Sequence, residues 1–298
     1  MSNKEDLLAA FMSRSGETAA KALANEMTKM NEKKFSGDDR YWYPEVDKAG
    51  NASATIRFLP APNGESSPYV RYWYHSFKGP TGLWYFENCL TSLGQDDPCA
   101  QHVNTLYNSQ KKDQIALGSQ RKRKLVYVSN ILVVKDPAKP ENEGKVFLYR
   151  YGAKIMDKIK AHRLPSEDEP EKDRNPFDPL EGYNFYLKVS RNEHGFPNYD
   201  ASNFSQKATP IAPTKEEALE IWLKCHSLAE ILNPKNFKSY DQLKAQLEKV
   251  LGQVGMKSSA KDSSLDDEEE VPLKPSLDEE ADDNDLETMA LLKKINRD

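Results

Sequence analysis

Four side chains suited to a borderline-soft metal ion fall within 28 residues: His75, Cys89, Cys99 and His102. Thiolate and imidazole are the donors Zn²⁺ prefers, and four of them close a tetrahedron with no position left for water. Such an ion is structural, pinning a loop-rich segment with too few apolar residues to order itself. Pro98-Cys99-Ala-Gln-His102 reads as a tight turn that presents two ligands to one ion. The competing reading is four scattered residues, with Cys89 merely buried. Cys225-His226 reads as structural, because neighbours on a helix point about 100° apart.

The second constellation is basic and aromatic. Lys111-Lys112 and Arg121-Lys122-Arg123-Lys124, less Asp113, give +5 over fourteen residues. The run leads into Leu-Val-Tyr127-Val, with Tyr107 upstream and Phe147, Tyr149, Arg150 and Tyr151 on the next apolar run. A solvated charge run is the commonest meaning of such a cluster. A single-stranded polynucleotide needs the same mixture: cations follow phosphates while ring faces stack on bases, each stack worth ~1–3 kcal/mol. Duplex readers more often offer a basic recognition helix, and none stands out.

Catalytic readings fare poorly. A zinc deaminase needs a His-x-Glu whose glutamate shuttles protons, and none of the five histidines has Glu two places on. Metal nucleases want carboxylates clustered in a cleft, whereas the acidic clusters here sit in loops and in the C-terminal stretch. No glycine-rich phosphate loop follows a strand. The expectation is a protein that is not an enzyme.

Positioning these residues falls to a run of short strands. Ser53–Leu59 alternates, with Ala54, Ile56 and Phe58 on one side. Tyr69–Phe77, Leu83–Phe86, Leu125–Val134, Val146–Tyr151 and Tyr183–Val189 follow, punctuated by Pro and Gly clusters. Short strands with long loops suggest a small barrel. Helices are expected over Lys215–Leu232 and Tyr240–Leu251. Residues 1–34 read as helical, Ala20, Leu23, Met27 and Met30 sharing one face. That helix packs on its own core or forms an arm that docks on a neighbouring molecule.

Composition sharpens the division. The 298 residues carry net charge −5, but residues 258–298 hold 14 Asp/Glu against 5 Lys/Arg, leaving 37 basic against 33 acidic residues elsewhere. All 29 aromatics lie between Phe11 and Tyr240. A mildly basic, aromatic body suits a polyanion, and an acidic tail without aromatics is usually disordered. Mean hydropathy is −0.80, and no apolar run approaches the ~20 residues of a membrane span. Three cysteines make no disulfide framework, and the N-terminus is acidic where a signal peptide is basic; a reducing, cytoplasmic setting is expected.

Asn130-Ile-Leu-Val-Val-Lys-Asp-Pro137, Pro140-Glu-Asn-Glu-Gly-Lys-Val-Phe147 and Tyr149-Arg-Tyr-Gly152 closely resemble the gene-32 helix-destabilising family, the single-stranded DNA-binding proteins of T-even-type bacteriophages. So do Ile56-Arg-Phe-Leu-Pro60, the His75/Cys89/Cys99 spacing and Phe196-Pro-Asn-Tyr-Asp200. The similarity runs in order over about residues 11–205. It implies a β-rich α+β fold: an OB-fold barrel core with a zinc-binding subdomain, flanking helices and a disordered acidic tail. It also implies three parts: residues 1–34 as an arm for cooperative self-association, 35–257 as the DNA-binding core, and 258–298 as a tail that binds partners. Carried over by position, one structural Zn²⁺ is held by His75, Cys89, Cys99 and His102. The single-stranded DNA groove draws on Arg57, Tyr107, Lys122, Arg123, Lys124, Tyr127, Tyr149, Phe196 and Tyr199. The arm's motif falls at Ser13, Arg14 and Ser15. Implied partners are single-stranded DNA, further copies of the chain, and the phage polymerase, helicase loader, primase and recombination proteins, in the cytoplasm of an infected bacterium at replication forks.

The chain departs from the family at three points. His102 stands where the family has a second Cys, Val128 replaces an aromatic after Tyr127, and Arg14 is the one basic residue of the arm motif. A rival reading keeps the zinc module structural and makes the chain an interaction scaffold acting through its acidic tail. Leu286, Met289, Leu292 and Ile295 recur every three residues there, as a segment that folds on a partner or as a fraying terminus.

Overall fold

The computed structural model describes residues 38–164, 174–192 and 195–252. The chain divides into two units at Asp39–Arg40, and the described strands and helices belong to the second. The helix expected over 1–34, with Ser13, Arg14 and Ser15, and the tail over 258–298 lie outside the described residues.

Among the described residues, eight strands join one sheet: β1 (Ala52–Phe58), β2 (Tyr69–Lys78), β3 (Trp84–Asn88), β4 (Lys124–Lys135), β5 (Val146–Tyr151), β6 (Asn184–Arg191), β7 (Pro197–Asn198) and β8 (Asn203–Phe204). The order is β3-β2-β4-β1-β6-β7, with β5 on the other edge of β4 and β8 also on β6. All these pairings are antiparallel. β4 organises the sheet. Its first half pairs with β2, from Tyr69↔Ser129 to Tyr74↔Lys124, and its second half pairs with β1, from Phe58↔Ile131 to Thr55↔Lys135. A strand that changes partner midway, with a register shift at Thr55/Ile56, curls the sheet. The result is a curled antiparallel sheet with flanking helices, consistent with an OB-like fold.

Residue parity explains the two apolar clusters. On β4 the odd residues Tyr127, Ile131 and Val133 join Phe58, Tyr149, Tyr151, Phe185 and Leu187 inside the curl. The even residues Val126 and Val128 face outward and are covered with Tyr72, Tyr74, Leu148 and Leu228. Both faces of β4 are therefore buried, so it reads as a near-continuous apolar run. β6 is buried on one face only: Phe185, Leu187 and Val189 point in while Tyr186 and Lys188 are exposed.

Five helices flank the sheet among the described residues: α1 (Pro98–Asn108), α2 (Lys112–Arg121), α3 (Ala153–Arg163), α4 (Lys215–Trp222) and α5 (Tyr240–Leu251). α3 sends Ile155, Met156 and Ile159 into the inner core. α5 matches its expected span and packs Leu247 and Val250 on Phe77, Tyr85 and Cys99. The helix expected over Lys215–Leu232 stops at Trp222, before Cys225-His226. There the buried Asn130 amide accepts from His226 N–H at 2.8 Å and donates to His226 C=O at 2.9 Å. Glu65 Oε1 accepts from Leu228 N–H at 3.0 Å and from the Ser227 hydroxyl at 2.8 Å. Tertiary partners claim the backbone groups that a longer helix would use. The tight turn expected at Cys99–His102 is instead the first turn of α1.

Candidate metal centre and nucleic-acid interface

The helix α1 starts where its chemistry says it should. Asp97 is the N-cap, its Oδ1 accepting from the backbone N–H of Cys99 and Ala100 at 2.9 Å, and Pro98 occupies the first helical position. Asp97 Oδ2 accepts from Leu90 N–H at 3.0 Å, tying the helix start to the 3-10 turn Leu90–Leu93 that follows β3. Cys89 follows β3 and caps that turn, and its N–H bonds to Trp73 C=O on β2 at 2.8 Å.

His75, Cys89 and Asp97 are all buried, and their ligand atoms lie within 4.8 Å of one another. His75 Nδ1 lies 2.9 Å from Arg121 C=O and must carry the proton to bond it. Nε2 is buried and without a hydrogen-bond partner, with Asp97 Oδ1 3.6 Å away. An imidazole oriented by a carbonyl on one nitrogen and open on the other is the arrangement of a metal-binding histidine. Burial lowers its proton affinity, but Asp97 and the Cys89 and Cys99 sulfurs facing it outweigh that and raise its pKa to about 12. Positive charge is thus favoured at this point, and the donors fit a cation such as Zn²⁺.

Of the four expected ligands, His75 and Cys89 belong to this cluster. Cys99 is buried with no exposure beside it, its thiol pushed up in pKa by burial. Among the described residues His102 is outside that group of three; its Nε2 accepts from Arg121 Nη1 at 2.9 Å, and burial and the guanidinium both lower its pKa. Sequence reasoning misses Asp97, although Asp before Pro-Cys is a helix-start signal.

Next to the cluster lies a cleft of about 310 Å³ whose lining includes Thr91, Gln101, Asn104, Tyr107, Lys122 and Arg123. Tyr107 lies across the α1–α2 contact, where a Cβ on Gly118 would come within 3.2 Å of its ring. Lys122 and Arg123 follow α2 on the approach to β4, and Arg123 is exposed. The Arg123 guanidinium stacks over the Trp73 ring at 4.4 Å and donates to Thr91 Oγ1 at 2.7 Å. Lys124 opens β4, half-buried. Tyr107, Lys122 and Arg123 therefore converge on one cleft, with Trp73 beside them.

The remaining expected groove residues lie elsewhere. Arg57 has no exposed surface; its guanidinium donates to Asp178 C=O at 2.9 Å and Thr209 C=O at 2.7 Å, and burial lowers its pKa to about 10. Tyr127 and Tyr149 stack on Tyr151 at 5.8 and 5.6 Å within the inner core, which also takes Tyr199. Phe196 is half-buried just before β7. Trp73 is the aromatic that sequence reasoning misses. Its signal is the alternation of β2, which places residue 73 on the opposite side from Tyr72 and Tyr74.

Residues 50–251 match the family described as gp32 DNA binding protein like. The chain belongs to this family. It is 41% identical over 246 residues to a protein of Enterobacteria phage T2 named single-stranded DNA-binding protein, covering 80% of each chain. A protein of the same name from Enterobacteria phage T4 is 41% identical over 245 residues, covering 80% of this chain and 79% of its own. A third, from Escherichia phage SV14, is 41% identical over 98 residues, 30% of this chain and 86% of its own. The family match begins just before β1 and ends with α5, so the curled sheet, the metal cluster and the cleft all lie inside it.

Proposed function

We propose that the protein binds single-stranded DNA without sequence preference, using the cleft beside the metal cluster. The observation that carries this is the convergence of Tyr107, Lys122 and Arg123 there, in a chain whose relatives bear that name. Lys122, Arg123 and Lys124 neutralise successive phosphates, and Tyr107 and Trp73 offer ring faces to bases of any kind. In this reading the buried Arg57, Tyr127, Tyr149 and Tyr199 act through the fold of the sheet rather than by touching the strand. Binding the unpaired form in preference is all that melting secondary structure requires, so no bond-making step is assigned.

A single structural Zn²⁺ is held by His75, Cys89 and Cys99, with Asp97 or His102 completing the set. It holds β2, the Leu90–Leu93 turn and α1 together, and so the walls of the cleft. In this reading residues 1–34, with Ser13, Arg14 and Ser15, link copies along the strand. Residues 258–298 recruit the polymerase, helicase loader, primase and recombination proteins of the phage in the host cytoplasm, for replication, recombination and repair.

A fluorescent oligo(dT) titrated against matched duplex at several salt concentrations, with and without chelator, tests this. Tight, salt-sensitive binding that favours the single strand and declines as metal is stripped is expected. Equal, weak binding to both forms would overturn it and leave the scaffold acting through its tail.

A further inference from the structure

The cleft and the metal cluster share one side chain. Thr91 Oγ1 lies 3.1 Å from Cys89 Sγ and 2.7 Å from Arg123 Nη1. A guanidinium can only donate, so Thr91 must accept from Arg123, and its single proton is then available to the sulfur. A thiolate has no proton of its own and takes that bond better than a thiol does. The turn carrying Thr91 is held as well: Ser92 Oγ accepts from Trp73 N–H at 2.7 Å, and Trp73 C=O accepts from Cys89 N–H at 2.8 Å. The Trp73 ring lies under the same guanidinium. Arg123 is thus fixed from two sides, by a hydroxyl bonded to a cluster cysteine and by a ring whose backbone is clipped to the same turn.

We infer that Thr91 is a positioning residue that couples the metal centre to the DNA cleft. It holds the exposed Arg123 on the cleft rim by the same hydroxyl that contacts the Cys89 sulfur, so whatever fixes or displaces that sulfur is felt at the guanidinium. The inference rests on the single-stranded DNA reading. It adds that metal occupancy acts on affinity through a named hydroxyl, as well as through the stability of the module. Among the described residues, Thr91 Oγ1 is the atom that joins the Arg123 guanidinium to Cys89, so the coupling can be cut by removing that atom.

The test uses the full-length protein, with Co²⁺ as the probe metal and fluorescent oligo(dT) as the strand. Thr91→Val keeps the shape and deletes the hydroxyl; Thr91→Ser keeps the hydroxyl. Losing the bond that orients Arg123 weakens oligo(dT) binding about five- to tenfold, while Thr91→Ser stays within about twofold of wild type by the same reasoning. In an Arg123→Ala background Thr91→Val costs nothing further, because the side chain it positions is gone. Saturating oligo(dT) shifts the thiolate-to-cobalt charge-transfer band of the wild type and leaves that of Thr91→Val unmoved. This readout is spectroscopic, and a purely structural threonine would not produce it. Wild-type oligo(dT) binding with an unshifted band, or a Thr91→Val loss that persists in full without Arg123, overturns the coupling while leaving the single-strand reading intact. Absence of wild-type oligo(dT) binding overturns both. Thermal melts of each cobalt-loaded variant separate loss of fold from loss of coupling. Should Thr91→Val not fold, the wild-type band shift and its loss in Arg123→Ala still decide the matter.

Discussion

Removing Asp97 should unfasten the metal module from its helix, and the cost can be worked from three hydrogen bonds. Oδ1 accepts from Cys99 and Ala100 N–H at 2.9 Å, which is the helix cap. Caps of this kind are worth about 1 kcal/mol. Oδ2 accepts from Leu90 N–H at 3.0 Å in a buried setting, a charge-assisted bond worth roughly 1.5–3 kcal/mol. Asp97→Ala should therefore destabilise the core by about 3 kcal/mol. Asp97→Ser restores the cap but is too short to reach Leu90, so its loss should be about 2 kcal/mol. The assay is urea unfolding of the metal-loaded protein followed by far-UV circular dichroism, with the cobalt charge-transfer band of each variant showing whether the metal is still held. Hydrogen exchange at Leu90, Cys99 and Ala100 locates the loss. Equal stability of alanine variant and wild type would refute the reasoning. So would a serine variant as unstable as the alanine one, since the cap would then contribute nothing.

Three further outcomes rest on the same geometry. Arg57→Met strands the carbonyls of Asp178 and Thr209 and should cost about 3 kcal/mol, read as a lower melting temperature; a buried guanidinium also predicts that oligo(dT) affinity of the still-folded variant stays within about twofold of wild type. Lys122→Gln should reduce the slope of log K against log salt for oligo(dT) by about 0.7, one phosphate contact on a single strand, measured by fluorescence titration; an unchanged slope would remove Lys122 from the interface. His162 packs 4.4 Å from both Tyr183 and Phe204, and burial, with Arg174 adding to it, depresses its pKa to about 4. The unfolded chain therefore takes up this proton first, and stability falls as pH drops from about 6.5 towards 4. His162→Phe should flatten that part of the melting-temperature profile, and a profile that does not change would show that the imidazole has the same pKa folded and unfolded, so that burial does not depress it.

The strands are legible because their signal is local. Alternation places Ala54, Ile56 and Phe58 on one face of β1, and these three lie in the inner core. The first three helices escape a reading of the sequence. α1 carries an Asp cap and a Pro start, but Cys99 and His102 draw the segment toward a turn. α2 contains Gly118, which lowers helix propensity and is there to admit the Tyr107 ring. α3 has the spacing, with Ile155 and Ile159 four apart, on a stretch otherwise rich in lysine. Conversely, the helix that local pattern carries past Trp222 ends because of Asn130 and Glu65, residues far away in the chain, and no local pattern records them.

The candidate site divides along the same line. Aromatic content is equally consistent with a stacking platform and with a core, and parity decides between them. Tyr127 on β4 and Tyr149 and Tyr151 on β5 share the inward parity of Ile131 and Val133, so their rings stack on one another rather than toward solvent. Arg57 has the opposite parity to Phe58, which would put it outside, but the chain around Asp178 and Thr209 closes over it. Tyr107, Lys122 and Arg123 reach the cleft because they stand on or beside the two helices that the metal module holds. Their availability to a strand thus depends on the module's fold more than on the curled sheet's. Damage to the cluster should cost oligo(dT) affinity before it costs the sheet: on progressive chelation, binding should fall while β-sheet circular dichroism persists. Loss of both signals together would place the module and the curled sheet in one cooperative unit and refute this division.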